Sequence, residues 1–364
     1  MKIEVELGGR SYPIHVIEGG LEGLGAAMRA ALPPGPAVVV TNPVVGALYA
    51  RDCVDSLSAA GFSPVVVQVP DGEAAKTVET WHRLVLDLLA TGLRRTTPVV
   101  ALGGGVTGDI AGFAAASALR GVPLVQVPTT LLSMVDSAVG GKTGVNVPAG
   151  KNLVGAFYQP RLVYAALDTL RTLDPAELRS GLGEVVKHGV LRDPALFALC
   201  EERAEDARGL DGEVVAEMVV RSCRVKAAVV AADERESGLR AILNLGHTVG
   251  HAIENVLGYG VLRHGECVGI GLVAETRWAA ARGDCTADTA RRVTDTVRRL
   301  GLPLAPPPVD REALIAAAGY DKKAARGMLA TAVVERIGAV RLERVAFTEV
   351  PQMLAQIPAH LEMS

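Results

Sequence analysis

The 364-residue sequence predicts a layered α/β half built on a mostly parallel sheet, followed by a half made mainly of helices. Three observations carry that reading. Short β-branched runs alternate with helix-length stretches up to about residue 173, the pattern of repeated strand–helix units. A glycine-rich turn, Gly103-Gly104-Gly105-Val106-Thr107-Gly108-Asp109, directly follows one of those runs. From about Asp174 the apolar period becomes helical and stays so, which places two domains at 1–173 and 174–364.

Taken in order, Met1 to Gly9 alternates Ile3, Val5 and Leu7 with Lys2, Glu4 and Glu6, a strand rather than a secretion signal. Ala37–Thr41 and Pro64–Val69 read as strands, with a helix from Tyr49 to Ala60 that Gly61 ends. Glu79–Ala90 is a helix closed by Gly92, and Thr97–Leu102 is a strand that feeds the glycines. The alanine-rich stretch Asp109–Leu119 reads as a helix against the sheet, and Val122–Val127 as the next strand, leading into Pro128-Thr129-Thr130. Ligands of such sheets bind beyond the carboxyl ends of the strands, where the glycines and the threonines would both stand.

In the second half, Pro175–Val190, Pro194–Arg208, Gly212–Ala232 and Val268–Arg282 read as helices, with shorter ones at Asp288–Leu300 and Arg311–Ala318. Pro303–Pro308 is a stiff connector, and Val350–Ala359 is a final helix candidate.

Composition narrows the function. With 37 basic and 40 acidic residues the formal net charge is −3, a poor match to the basic footprint of a nucleic-acid binder. Cys53, Cys200, Cys223, Cys267 and Cys285 form no CxxC pair and read as reduced thiols of a cytoplasmic protein. No apolar run reaches the roughly 18 residues of a membrane span.

A phosphate group needs closely spaced backbone N–H groups, and side chains obstruct them. Gly103, Gly104, Gly105 and Gly108 remove that obstruction at the start of a helix, whose positive end attracts an anion. The string is not GxGxxG, so the usual dinucleotide fingerprint does not apply unchanged. Asp109 either caps the helix or positions a ligand hydroxyl. Further on, Lys142 within Gly140-Gly141-Lys142-Thr143-Gly144, then Lys151 and Asn152, offer two cations and an amide, which Arg120 can join. Surface lysines usually only solubilise, which accounts for Lys151 more readily than for Lys142. The full GxxxxGK[ST] spacing is missing, so an ATPase is not indicated.

His247 and His251 can share one helix face near Asn244, with His264 not far beyond. The string is not HExxH, which removes a zinc peptidase, and two histidines with an oxygen ligand would hold a metal while leaving an open position. Glu184, beside Lys187, is one candidate for that oxygen. Glu234, Arg235, Glu236 and Arg240 are either a solvated charge run or, with Lys226, part of a pocket for a carboxylate, which the arginine fork suits.

The set Gly103–Asp109, Pro128-Thr129-Thr130-Leu131-Leu132, Val135-Asp136-Ser137, Gly140–Asn146, Gly150-Lys151-Asn152, Glu184–Lys187 and Asn244–His251 resembles the 3-dehydroquinate synthase family of sugar phosphate cyclases over nearly the whole chain. The resemblance implies an amino-terminal Rossmann-like NAD-binding α/β domain followed by a mainly α-helical metal-binding domain. It also implies NAD, one divalent metal (Zn2+ or Co2+), a homodimer, and no nucleic-acid or membrane partner. The implied activity is a carbon–oxygen lyase converting 3-deoxy-D-arabino-heptulosonate 7-phosphate, a phosphorylated keto acid, to 3-dehydroquinate and phosphate. The steps are transient oxidation at C5, phosphate elimination, re-reduction, ring opening and intramolecular aldol closure, with no net oxidation.

By the same resemblance Glu184, His247 and His264 are the metal ligands, and His251 is a catalytic residue near the phosphate. Lys142 and Asn152, with Lys151 beside them, match phosphate-site positions, and Arg120 matches a residue contributed across a dimer interface. Lys187, Lys226, Glu236, Arg240 and Asn244 match substrate contacts, Lys226 and Arg240 being favoured for the carboxylate. Of Lys322 and Lys323, Lys323 is favoured to approach the phosphate. Asn42, Glu73, Lys76, Gly103, Gly104, Gly105, Asp109, Thr129, Thr130, Asp136, Lys142, Lys151 and Thr172 fall at positions resembling the NAD site. Two departures stand out: Gly183 and His188 occupy positions where relatives often have Ala and Tyr.

Overall fold

The structure, a computed structural model, describes residues 1–258, 260–319 and 327–358. The chain divides into two compact units, one comprising Met1–Leu173 with Lys226–Ala231, the other Asp174–Val225 with Ala232–Ser364.

The first unit runs β1 (Lys2–Val5), β2 (Tyr12–Ile17), α1 (Leu24–Ala31), β3 (Pro36–Thr41), α2 (Pro43–Ala59), β4 (Ser63–Gln68), α3 (Val78–Ala90), β5 (Val99–Gly103), α4 (Gly105–Ser117), β6 (Leu124–Pro128), β7 (Lys142–Val147), β8 (Gly150–Phe157) and β9 (Leu162–Ala166). Seven strands form one sheet in the order β1-β2-β9-β6-β5-β3-β4, parallel except for the β1–β2 pair, and β7–β8 form a separate antiparallel hairpin. Alternation along the strands sorts their side chains to two faces. Val38, Val40, Val99, Ala101 and Leu124 pack against Leu84 and Leu88 of α3 and Ile110, Ala111, Ala114 and Ala115 of α4. Val39, Val100, Leu102, Val125 and Leu162 pack against Leu24 and Met28 of α1 and Cys53 and Leu57 of α2. Burial on both faces is why these strands read as continuous apolar runs.

The order has a consequence for ligands. From β3 the chain moves to β4 on one side and then to β5 on the other, so the carboxyl ends of β3 and β5 flank a topological switch point. Asn42 follows β3 and the glycines follow β5.

The second unit contains α5 (Pro175–Leu191), α6 (Pro194–Glu202), α7 (Ala204–Arg208), most of α8 (Gly212–Ala232), a 3-10 turn Leu239–Asn244, α9 (His247–Leu257), α10 (His264–Arg282), α11 (Ala287–Arg299), α12 (Arg311–Gly319), the antiparallel hairpin β10 (Met328–Arg336) and β11 (Ala339–Ala346), and α13 (Val350–Leu354). Every residue from Ser180 to Leu191 of α5 is buried, as is nearly all of α10 from Gly265 to Thr276. Helices buried on all sides form the centre of a bundle.

Several elements differ from the sequence expectation. Helix α2 starts at Pro43 rather than Tyr49, because Asn42 accepts Val45 N at 2.8 Å and Pro43 suits a first turn. The glycines do not delay α4, which starts at Gly105. The stretch 194–208 breaks into α6 and α7 at Arg203 (φ −117°, ψ 31°). Helix α10 begins at His264, four residues before Val268, with the Glu266 side chain accepting Arg263 N at 2.8 Å. Helix α13 ends at Leu354. Strands β2, β9 and both hairpins were not anticipated, nor was α1. The hairpins owe their form to cross-strand pairing, which a one-dimensional period does not contain.

Candidate active site

In the first unit Asn42, the glycines, Thr129 and Thr130 stand at the carboxyl ends of strands β3, β5 and β6, whereas Arg120 precedes β6 and Lys151 and Asn152 belong to the separate β7–β8 hairpin. Helix α4 opens at Gly104 with no side chain capping it, so its first N–H groups point outward to accept an anion. The glycines divide into two kinds. A Cβ at Gly108 would lie 2.9 Å from Gln126 Oε1, so Gly108 serves close packing of helix on strand. A Cβ at Gly104 or Gly105 would meet the side chains of Thr130 or Ser137 at 3.0 Å and fill the cradle itself.

Around this cradle Asn42 donates to Asp71 Oδ1 at 2.7 Å, and Lys76 donates to Asp109 Oδ2 at 2.5 Å. Burial pushes the Asp109 carboxyl up against the opposing pull of Lys76. Thr129 N donates to Gly103 O at 3.0 Å, while Thr130 and Ser133 close a hydroxyl turn on one another. Thr172 Oγ1 lies 2.5 Å from the Tyr49 hydroxyl. Lys226, on the part of α8 belonging to this unit, donates to the backbone oxygen and to Oδ1 of Asp136, each at 2.5 Å.

Asn146 was not singled out, although it ends the quoted Gly140–Asn146 string. Its N donates to Lys76 O at 2.8 Å, its Nδ2 to Glu73 Oε1 at 2.8 Å, and its Oδ1 accepts Asn152 N at 3.0 Å. It thereby joins Glu73, Lys76 and Asn152. Lys142 pairs with Phe157 at the open end of the β7–β8 hairpin, whereas Lys151 and Asn152 adjoin its turn, so the three are not cross-strand neighbours. Arg120 is exposed in the turn after α4, with a positive φ of 65°.

The second unit holds a metal-competent centre. Glu184 of α5, His247 at the start of α9 and His264 at the start of α10 place one carboxylate oxygen and two imidazole nitrogens within 4.8 Å of one another. Glu184 Oε1 stands 3.8 Å from His247 Nε2 and 3.6 Å from His264 Nε2, and the carboxylate is fully buried. The other ring nitrogens are anchored: His247 Nδ1 lies 3.1 Å from Leu245 O, and His264 Nδ1 lies 3.3 Å from Glu254 Oε2. Such anchors fix the tautomer that aims Nε2 inward. Glu254 was missed, yet with His247 and His251 it completes an i, i+4, i+7 helix face.

Burial and ion pairing set the charge states of the three donors. Burial alone would raise the Glu184 carboxyl, but its ion pair with Lys187 and then the two histidines hold it well below the usual carboxylate range. Burial and the Lys187 charge push His247 far down, leaving a neutral ring with an available lone pair. Burial opposes protonation of His264 too, yet Glu184 and Glu254 outweigh it and raise the group to about 10. A divalent ion can take the place of the Nε2 proton that faces Glu184, while Nδ1 keeps its bond to Glu254. The nitrogen-and-carboxylate donor set fits an ion such as zinc or cobalt.

Arg240 is 2% exposed, and its Nη1 donates to Glu234 O at 2.5 Å. Asp233 holds the same loop, accepting Ser237 N at 2.9 Å, Gly238 N at 2.8 Å and Arg240 N at 2.9 Å. Glu236 sits there at φ 58° and accepts Asn244 Nδ2 at 3.1 Å. The His251 ring centroid lies 5.0 Å from that of His247 and 5.9 Å from that of His264. Lys322 and Lys323 fall outside the described residues.

The glycine cradle on a parallel sheet and the Glu–His–His centre define the class, a metal-dependent enzyme with an anion-binding α/β unit. The chain belongs to the 3-dehydroquinate synthase family. It matches the family's amino-terminal region over residues 66–180 and its carboxyl-terminal region over residues 181–324. It is 48% identical over 343 residues to the 3-dehydroquinate synthase of Geobacter metallireducens, covering 94% of this chain and 95% of that one. Among solved structures, 2-epi-5-epi-valiolone synthase from Streptomyces hygroscopicus, with NAD+ and Zn2+ bound, aligns with a TM-score of 0.86 at 29% identity, covering 95% of this chain and 96% of that one. A 2-deoxy-scyllo-inosose synthase complexed with carbaglucose-6-phosphate, NAD+ and Co2+ shares the fold, with a TM-score of 0.89 at 24% identity over 98% of this chain and all of that one.

Proposed function

We propose that the chain is an NAD- and metal-dependent carbon–oxygen lyase that converts 3-deoxy-D-arabino-heptulosonate 7-phosphate to 3-dehydroquinate and phosphate. The observation that carries this reading is the Glu184–His247–His264 donor cluster with Lys187 against it, in a chain whose relatives at this level of identity are 3-dehydroquinate synthases. We assign the dinucleotide to domain 1–173 and the metal and substrate to domain 174–364, in a cytoplasmic homodimer.

When bound, the ion would supply Lewis-acid stabilisation for deprotonation of the substrate's C5 alcohol and the dinucleotide would supply a reversible hydride acceptor. The chain's own residues position the reactants. Asn42, Glu73, Lys76, Asp109, Thr129, Thr130, Asp136 and Thr172 would hold the dinucleotide, and the uncapped N–H groups at the start of α4 would be offered to its phosphates. Arg240, already fixed by Asp233 and Glu234, offers its planar fork to the carboxylate, with Lys226 as a second cation. Asn244, Glu236 and Lys187 take the hydroxyls. Lys142, Lys151, Asn152 and His251 hold the phosphate, with Arg120 reaching it from a second subunit. Restraint of the open-chain intermediate by these groups favours the correct ring closure.

The test is a paired assay of phosphate release and 3-dehydroquinate formation, with NAD present and zinc or cobalt titrated. Equal yields of both without NADH accumulation are expected. Turnover only of sugar phosphates lacking the C1 carboxylate would instead make the chain a different sugar phosphate cyclase.

A further inference from the structure

We infer that Glu275 is a positioning residue for the metal centre, clamping the helix that presents His247 onto the helix that presents His264. The inference rests on the assignment of Glu184, His247 and His264 as ligands of one divalent ion.

Glu275 lies on α10, is 2% exposed, and reaches neither the donor cluster nor solvent. Its Oε2 accepts Gly246 N at 2.7 Å and its Oε1 accepts Val249 N at 3.2 Å. These are the N-cap residue and the third residue of α9, whose first residue is His247. Gly246 has no side chain with which to cap the helix, so a carboxylate from the neighbouring helix performs the capping and meets the positive end of the α9 dipole.

The backbones beneath this clamp touch. Gly246 has φ 78°, and a Cβ there would stand 2.8 Å from Val268 O and 3.0 Å from Leu272 N. A Cβ on Gly271, one turn before Glu275 on the same helix, would overlap the Gly246 carbonyl. The glycines allow the close approach, and the two Glu275 bonds fix its register. Register is what the site needs, since His247 and His264 are the first residues of the two helices and their ring centroids are 5.2 Å apart. Burying a carboxylate is costly unless hydrogen bonds satisfy it, and the two backbone N–H groups of α9 do so for Glu275.

A carboxylate that merely caps a core helix would affect melting temperature alone. Positioning of a ligand predicts a separate effect on the metal. The experiment measures Zn2+ affinity by chelator competition for the full-length wild type, Glu275→Gln and Glu275→Ala, together with the visible absorption of each Co2+-loaded protein. Melting curves establish a temperature at which each variant is folded. In folded Glu275→Gln, Zn2+ affinity is expected to fall about 10- to 100-fold. The Co2+ spectrum is expected to shift, NAD affinity to hold, and excess Zn2+ to restore turnover. Glu275→Ala should show a larger loss of metal affinity if it folds. Wild-type affinity and an unchanged Co2+ spectrum in folded Glu275→Gln overturn the positioning role while leaving the ligand assignment intact. Failure of the wild type to take up one equivalent of metal, or full metal uptake by His247→Ala, overturns the ligand assignment and the inference with it.

Discussion

Lys76 Nζ lies 2.5 Å from Asp109 Oδ2, with side-chain exposures of 6% and 16%, so an ion pair shielded from solvent joins the turn before α3 to the helix behind the glycine cradle. Removing one member strands the other. Lys76→Met is expected to cost about 3–5 kcal/mol, and Lys76→Met with Asp109→Leu much less, because two apolar groups leave no buried charge. Urea denaturation of the three proteins decides this, and equal costs for single and double variants would contradict it. Both variants should also weaken NAD binding.

Glu184→Ala and His247→Ala are expected to abolish metal-dependent turnover while NAD binding, which we assign to the other domain, stays within about two- to threefold of wild type, well under 1 kcal/mol. Metal content after dialysis and NAD titration give the two readouts. Retention of stoichiometric metal in both variants would remove these residues from the ligand set.

The Asp233 carboxylate accepts backbone N–H groups from Arg240, Ser237 and Gly238, and these bonds hold it down to about 2. The folded value lies below the unfolded one, so its contribution to stability is complete above about pH 4 and is lost as pH falls through about 2. Asp233→Asn is expected to lose about 1–3 kcal/mol at pH 7 and to flatten the acid limb of the stability curve. The same variant, and Arg240→Ala more strongly, should raise KM for the heptulosonate phosphate more than for an analogue lacking the carboxylate. An equal response to the two substrates would argue against a carboxylate role for Arg240.

Helices α5 and α10 meet at Gly183 and Gly265. A Cβ at Gly183 would overlap the Gly265 carbonyl, and one at Gly265 would overlap the Ser180 carbonyl. In this chain Gly183→Ala must push the helices apart. The helix-propensity gain of about 1 kcal/mol is smaller than an overpacking cost of about 1–3 kcal/mol, so net destabilisation is expected. Because Glu184 and His264 adjoin the contact, metal affinity should fall as well. A thermal melt and a zinc titration of the one variant test both, and a melting temperature above wild type would show that the helices separate without strain.

The parallel sheet and its helical cover were legible because the inner strands β3, β5 and β6 are buried on both faces, the edge strand β4 keeps a β-branched run, and helices end at glycines, so local pattern and global fold agree. The candidate site was legible in its residue types: small residues at the start of α4, and histidines on one helix face. Local pattern could not choose Glu184 from the other acids; the family resemblance did. Neither pattern nor resemblance singled out Asn146, Glu254 or Glu275, since each acts through partners distant in sequence: Lys76 and Glu73 for the first, His264 for the second, and the start of α9 for the third. The sequence by itself determined the sheet strands of β3 to β6, the glycine cradle and the chemistry of the donors. Only the tertiary structure decided which buried carboxylate faces a histidine and which caps a helix, because hydrogen-bond partners are set by packing in three dimensions and periodicity records only the face on which a residue lies.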